Sequence, residues 1–337
     1  METDCLILGI ETSCDETSAA GVKDGKQILS NIIHSQIPVH RRFGGVVPEI
    51  ASRNHIVKIN EVVDSALKEA DVTFADISAI GVTAGPGLVG ALLVGVAFAK
   101  AAAYAAKKPL IAVHHIEAHI CANYLSSNLC PPFICLVASG GHTHLVYAED
   151  YDKYEIIGRT RDDAAGEAFD KVARAIGLPY PGGVEIEKLA KDGNADAYVF
   201  PAAMKNDTDF SFSGLKSAVL NFINSTKMNG EQFSRPNLAA SFQKTVAETL
   251  VSKAISACMQ KNCKKIALAG GVSANGEIRR LMKQAAESKG IEFFVPPTVL
   301  CTDNAAMIAE RAFFSFIKGK FAGLELNAYP NIEMGAL

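Results

Sequence analysis

The sequence has no excess of positive charge. Its 337 residues carry 33 Lys+Arg against 36 Asp+Glu, a formal net charge of −3, which excludes a histone-like or tail-driven nucleic-acid binder. It also lacks the composition of disorder: 49% of residues are hydrophobic and 20% charged, ample apolar material for packed cores. No export signal is visible, because Met1-Glu2-Thr3-Asp4 places acids where a secretory leader needs positive charge, and the apolar run Cys5–Ile10 is short. No clean membrane span is visible either. The most apolar stretch, Leu88–Ala106, is interrupted by Gly90, Gly95 and Lys100 and reads as a buried soluble helix. None of the eight cysteines forms a C-x-x-C pair, so neither a zinc knuckle nor a disulfide framework is expected. Together these absences point to a soluble cytoplasmic protein with reduced thiols and no membrane association.

What is present is an alternation of strands and helices in a chain long enough for two lobes, since single cores stop growing near ~250–300 residues. Leu6–Thr12 reads as a buried strand that stops at the small polar turn Thr12–Ser18. Ala19–Val22 follows, and Asp24-Gly25 signals a hairpin into Gln27–Ser35. Pro48–Ala70, Gly90–Lys107 and His115–Leu125 read as helices, with strands at Ile77–Thr83 and Leu110–Val113. After the Pro131-Pro132 break the plan restarts with the strand Phe133–Ala138 and the turn Ser139–Thr143. There is no close sequence repeat, yet this echo predicts an α/β protein with duplicated β-lobes, one over 1–130 and one over 131–303, the second carrying an irregular insert near 180–213. Ligands are expected at the turns that end the strands.

His115-Ile116-Glu117-Ala118-His119 sets two imidazoles one helical turn apart on one face, the spacing that two ligands of a single metal need. The order H-x-E-x-H differs from H-E-x-x-H, so Glu117 points off the histidine face and is not the general base of a zinc protease. Surface histidines share this spacing, so a third ligand decides. The best distant candidate is Asp303, at the start of the last helix, where an aspartate also serves as an N-cap. Three turns, Glu11–Ser18, Ala138–Thr143 and Gly270–Asn275, offer backbone N–H groups to anions, and none matches a P-loop or a dinucleotide fingerprint. Asp170 shares a small-residue helix face with Gly166 and Ala173, Tyr180-Pro181-Gly182-Gly183 is a rigid turn, and Glu187 follows on the next helix. Between His34 and Lys58, Arg41, Arg42, Arg53 and Lys58 stand against Glu49 alone, which suits either a phosphate-backbone contact or an ordinary solvated loop. Ser139 and Cys14 are available nucleophiles without an identifiable base.

In order along nearly the whole chain, Gly9–Ser18, His115–His119, Val137–Thr143, Ala164–Asp170, Tyr180–Gly183, Phe212–Lys216 and Cys301–Ala305 resemble the TsaD family, the bacterial tRNA N6-adenosine threonylcarbamoyltransferases long misnamed O-sialoglycoprotein endopeptidases. The resemblance implies an ASKHA (actin, Hsp70, sugar kinase) fold with a nucleotide cleft between its two β-lobes, the segment 304–330 completing the first. It implies transfer of the threonylcarbamoyl group of threonylcarbamoyl-AMP to N6 of adenosine 37 in tRNAs that read codons starting with A. By motif, His115, His119 and Asp303 would hold one divalent metal, iron or zinc. Val137, Ala138, Ser139, Gly140, Gly141 and His142, with Asp170, Gly183, Glu187 and Asn275, would bind the adenylate, and Glu11, Thr12 and Ser13 would form a nucleotide loop. Ala138 departs from the more frequent Val, a small matter in a loop that acts through backbone amides. His142 is the candidate acceptor of the N6 proton. The implied partners are tRNA and TsaB-like and TsaE-like proteins. A kinase or ATPase of the same fold, and a nucleotide-binding scaffold for partner proteins, are the competing readings. With its acidic balance, the lone chain is expected to bind tRNA weakly and in a salt-sensitive way.

Overall fold

Leu6–Glu11 (β1) buries all six of its residues, which is why it reads as an unbroken apolar run instead of an alternating one. In the computed structural model, which describes residues 4–202, 204 and 207–337, β1 is the central strand of a mixed sheet. Glu16–Lys23 (β2) pairs with it antiparallel, and Gln27–Ser35 (β3) pairs antiparallel with β2. Ala79–Gly85 (β4) runs parallel to β1, and Leu110–His114 (β5) parallel to β4, giving the order β3-β2-β1-β4-β5. A short helix, Ile37–His40 (α1), and a 3-10 turn, Arg41–Phe43, lead into Pro48–Glu69 (α2), which has Pro at its start as helices tolerate. Val89–Ala106 (α3) follows β4, and His115–Ser126 (α4) follows β5 with no intervening residue. Successive side chains of β1 go to opposite faces. Leu6, Leu8 and Ile10 join a core with Ile59, Val62, Val82 and Val96, while Ile7 joins a second core with Ile111, Val113, Ala118 and Ala122.

The second half repeats the plan. Phe133–Ala138 (β6), also buried throughout, pairs antiparallel with Thr143–Asp150 (β7), which neighbours Lys153–Arg159 (β8). The helices Ala165–Ala175 (α5), Gly182–Ala190 (α6), Ser213–Met228 (α7) and Arg235–Gln260 (α8) precede Lys265–Ala269 (β9), Gly276–Glu287 (α9) and Glu292–Phe294 (β10). β9 is parallel to β6 and β10 to β9, so the order β10-β9-β6-β7-β8 reproduces that of the first sheet, with β6 in the place of β1. The duplicated β-lobes expected from the restart after Pro132 are present. The segment 180–213 contains α6; its residues 203, 205 and 206 lie outside the described residues, and beyond α6 it is tied down by Lys253. That side chain is 6% exposed and donates to the carbonyls of Met204, Asp207 and Asp209, at 2.5, 2.6 and 2.7 Å, which satisfies a buried ammonium group.

The chain then returns to the first sheet through Thr298–Cys301 (α10) and Ala305–Ile317 (α11). One compact unit comprises the chain through Cys130, Asp150–Tyr154 and Pro296–Leu337; the other comprises Pro131–Glu149 and Glu155–Val295. α11 lies directly on β1 because Gly9 has no side chain: a Cβ there would fall 2.3 Å from the Ala305 carbonyl oxygen and 2.7 Å from the Ala309 amide. The C-terminal tail follows. Tyr329 donates its amide to Ala84 O at 2.7 Å, and Gly335 donates its amide to the Glu117 carboxylate at 2.7 Å.

α3 departs from expectation. Among the described residues it is the one helix long and apolar enough by composition to cross a membrane, and only 33% of that window is buried. Ala91, Leu92, Gly95, Val96 and Ala99 pack against α2 and β4, but Val89, Leu93 and Tyr104 are exposed. The helix is apolar on both faces, and periodicity cannot say which face is covered.

Gly9→Ala is expected to destabilise the protein by about 1–3 kcal/mol by forcing α11 off the strand. Urea unfolding should show a lower midpoint with an unchanged slope; an unchanged midpoint would contradict the packing described.

Candidate metal centre

His114 ends β5 and caps α4, its Nδ1 accepting the Glu117 amide at 3.4 Å. This abrupt strand-to-helix junction places His115 and His119 on the first two turns of α4, with ring centroids 4.6 Å apart and planes at 79°. Asp303 arrives from the far end of the chain, between α10 and α11. Its Oδ1 lies 3.2 Å from His119 Nε2 and 3.5 Å from His115 Nε2. One ligand atom from each of the three residues falls within 4.8 Å of the others. The cap of α11 is Asn304, whose side chain accepts the Met307 amide at 3.2 Å, so the N-cap role considered for Asp303 belongs to its neighbour.

Three features of the chemistry fit a cation. His119 is fully buried, and neither of its ring nitrogens has a hydrogen-bond partner of good geometry, an unusual condition for a buried polar group. His115 is held from behind, with Nδ1 2.9 Å from Glu11 Oε2 and 3.2 Å from Ser13 Oγ. This is the carboxylate–histidine arrangement that puts the proton on Nδ1 and aims the Nε2 lone pair at a metal. Acidic groups also gather here: burial first, then Asp15 and Asp303, hold the Glu16 carboxyl well above the usual range, so that it resists ionising beside them. Two imidazoles and a carboxylate suit zinc or ferrous iron and leave coordination positions open for substrate.

Burial alone would lower the His115 pKa, but Glu11 and Asp303 outweigh it and push it up to about 9. Burial holds His119 below its ordinary value, and a cationic His115 adds to that. Without a cation, the proton of this cluster therefore resides on His115. Burial, reinforced by Asp15 and Asp303, also raises the Cys14 thiol well above its usual range, so Cys14 is no thiolate nucleophile at neutral pH.

Sequence reasoning placed Glu11, Thr12 and Ser13 in a nucleotide loop. Their side chains are buried and committed to protein partners. Glu11 accepts from Thr83 Oγ1 at 2.8 Å and from the Ser13 amide, and Thr12 Oγ1 donates to Ala91 O at 2.9 Å. The orienting role of Glu11 was missed because it depends on His115, 104 residues away.

In the second unit the glycine turns are joined by close backbone approaches. Gly270 has φ +83°, and a Cβ there would lie 2.5 Å from Ala138 O; at Gly166 it would lie 2.6 Å from Ser139 O. The Gly182 amide donates to Asp170 Oδ1 at 2.6 Å, and the Gly276 amide to Glu187 Oε1 at 2.9 Å. Asn275 caps α9, accepting from the Glu277 and Ile278 amides, both at 3.1 Å. Added side chains at Gly140, Gly141 and Gly271 would meet nothing within 4 Å, so a ligand can approach these turns closely. Gly183 stands at the start of α6, and Val137 and Ala138 are buried at the end of β6. His142 is half-buried, its amide donating to Ser139 Oγ at 3.2 Å.

The local basic excess is smaller than the sequence count implied. Arg53 pairs with Glu49 at 2.7 Å and Lys58 with Glu61 at 2.9 Å, the latter acid lying just beyond the counted window. Arg41 and Arg42 are exposed on the 3-10 turn.

A family model described as "TsaD: tRNA N6-adenosine threonylcarbamoyltransferase" matches residues 27–310. The chain is 58% identical over 338 residues to a tRNA N6-adenosine threonylcarbamoyltransferase of Clostridium botulinum (strain Kyoto / Type A2), with 99% of each chain covered. It is 58% identical over 339 residues to one of Clostridium novyi (strain NT), again covering 99% of each. Among solved structures, full-length HypF in its phosphate- and nucleotide-bound form matches with a TM-score of 0.64 at 16% identity, over 95% of this chain and 57% of that one. The Acidaminococcus fermentans (R)-2-hydroxyglutaryl-CoA dehydratase component A matches with a TM-score of 0.54 at 15% identity, over 92% and 98%. These structural likenesses bear on the fold alone, and they bear out the α/β ASKHA fold with two β-lobes.

Because His115 is protonated below about pH 9, a metal must displace that proton. Uptake near neutral pH is therefore expected to release about one proton, and the apparent affinity to rise with pH until His115 is neutral, then level off. Calorimetric Zn2+ titrations in buffers of different ionisation enthalpy measure this; a pH-independent affinity in the neutral range would contradict it.

Proposed function

The chain belongs to the TsaD family of tRNA N6-adenosine threonylcarbamoyltransferases, and we propose that the centre at His115, His119 and Asp303 and the glycine turns of the second unit carry out that transfer. The observation that carries the reading is His119, buried with Nδ1 unpartnered and Nε2 set 3.2 Å from Asp303 Oδ1 without good hydrogen-bond geometry, beside a His115 that Glu11 has already oriented. A bound Fe2+ or Zn2+ would supply Lewis-acid polarisation of the threonylcarbamoyl carbonyl. Glu11 holds His115 in the tautomer and ring orientation that ligation requires. The turn Val137–His142, with Asp170, Gly183, Glu187 and Asn275, receives the adenylate, the open glycines allowing backbone amides to approach its phosphate.

In the transfer, N6 of adenosine 37 forms a bond to the carbamoyl carbon while the bond from that carbon to the phosphate oxygen breaks. AMP leaves with the electron pair, and N6 passes one proton to His142, half-buried on the turn Val137–His142. The mixed anhydride already carries its leaving group, so no covalent enzyme intermediate is required. This agrees with the raised pKa of the half-buried Cys14 thiol.

Incubating the chain with unmodified tRNA, threonylcarbamoyl-AMP and its partner proteins should yield threonylcarbamoyladenosine detectable by nucleoside mass spectrometry. His115→Ala, His119→Ala and Asp303→Ala should each lower the rate by about 100-fold or more. Wild-type rates in all three would sink the metal role and favour a scaffold.

A TsaB-like partner is proposed to dock on the outer faces of α2 and α3, which pack together and expose Ile56 (61%), Val57 (70%), Val89 (52%) and Leu93 (44%). We further propose that the protein acts in the cytoplasm and that the exposed Arg41 and Arg42 contact the tRNA. Leu93→Glu should abolish co-elution with the partner on gel filtration while leaving metal uptake at the wild-type level; undiminished co-elution would place the interface elsewhere.

A further inference from the structure

Glu117 lies between the two histidines in sequence and faces away from them. Its side chain is 1% exposed, and Oε2 lies 2.8 Å from Nε of Arg311, itself buried on α11. Oε1 accepts the Gly335 amide at 2.7 Å, and Arg311 Nη1 donates to Ser315 Oγ at 2.9 Å. One carboxylate on α4 is thus bonded to α11 and to the C-terminal tail at once. α4 carries His115 and His119, and Asp303 stands two residues ahead of the start of α11. The ion pair therefore joins the two elements that bring the three ligands together.

A buried ion pair is a poor source of stability, because desolvating both charges offsets most of their attraction, and apolar residues of similar volume often replace it at little cost. What it supplies is direction and a fixed length. To the core they share with the sheet, α4 contributes Ala118, Ala122 and Leu125, and α11 contributes Ala305, Ala306, Ala309 and Ala312 with Met307 and Ile308, so most of these side chains are small. Small side chains make shallow ridges that allow helices to approach closely but resist sliding weakly. Metal ligation tolerates only a few tenths of an ångström, so a directional bond between the two helices is of more use here than additional apolar packing.

We infer that Glu117 and Arg311 are positioning residues for the metal centre, with the Gly335 amide as the third anchor. They fix the register of α4 on α11, so that Asp303 Oδ1 meets both imidazoles. The inference rests on the metal reading above, and the experiment separates the two. Metal-free full-length wild type, His119→Ala and the double variant Glu117→Leu/Arg311→Met are titrated with Co2+, following its visible absorption, with thermal unfolding of each metal-free protein as the check on folding. The double variant is expected to stay folded, to bind Co2+ about 10–100-fold more weakly than wild type, and to show an altered absorption envelope. Wild-type affinity and spectrum in the folded double variant would overturn the inference. A pair with a merely structural role would lower the unfolding temperature and leave Co2+ binding unmoved. If the double variant does not fold, Arg311→Lys, which keeps the charge and loses the forked geometry, takes its place with the same expected loss and the same overturning result. If wild type takes up no Co2+, or His119→Ala binds it equally well, the metal reading itself fails and this inference falls with it.

Discussion

A single carboxylate, buried at the end of the first strand, organises the first unit. Glu11 is fully out of water, and a charge there must be met by hydrogen bonds from every side. It takes them from the Thr83 hydroxyl on β4, from the Ser13 amide and from the His115 ring. Those bonds fix the splay of the two parallel strands, the path of the turn after β1 and the tilt of the imidazole at the start of α4. One imidazole of the centre is thus held by the sheet itself.

The two sheets share a strand order and differ in what they present at the matching turn. β1 ends in Glu11, and its turn directs hydroxyl and carboxylate groups inward. β6 ends in Ala138, and its turn is opened by Gly140 and Gly141. The same strand order thus ends, in the first unit, in a turn whose side chains hold a histidine and, in the second, in a turn of bare backbone.

Much of this was legible in the sequence. The unbroken apolar runs at 6–11 and 133–138 disclosed central strands, and the restart after Pro132 disclosed the duplication. The spacing of His115 and His119 disclosed a shared helix face, because helical period is a local property. What escaped were relations between distant residues. That Glu11 faces His115, or that Glu61 neutralises Lys58 just beyond a counted window, follows from packing and side-chain reach, which a linear pattern does not contain. α3 was misjudged for a related reason: a helix apolar all round gives no sign of which side is left uncovered, and here the uncovered side carries Val89 and Leu93.

The Gly335 amide reaches Glu117 across 218 residues of sequence. Closing a loop of that length is costly in chain entropy, so this contact forms only with the surrounding packing in place, and loosening the tail would free the helix that bears two of the three candidate ligands.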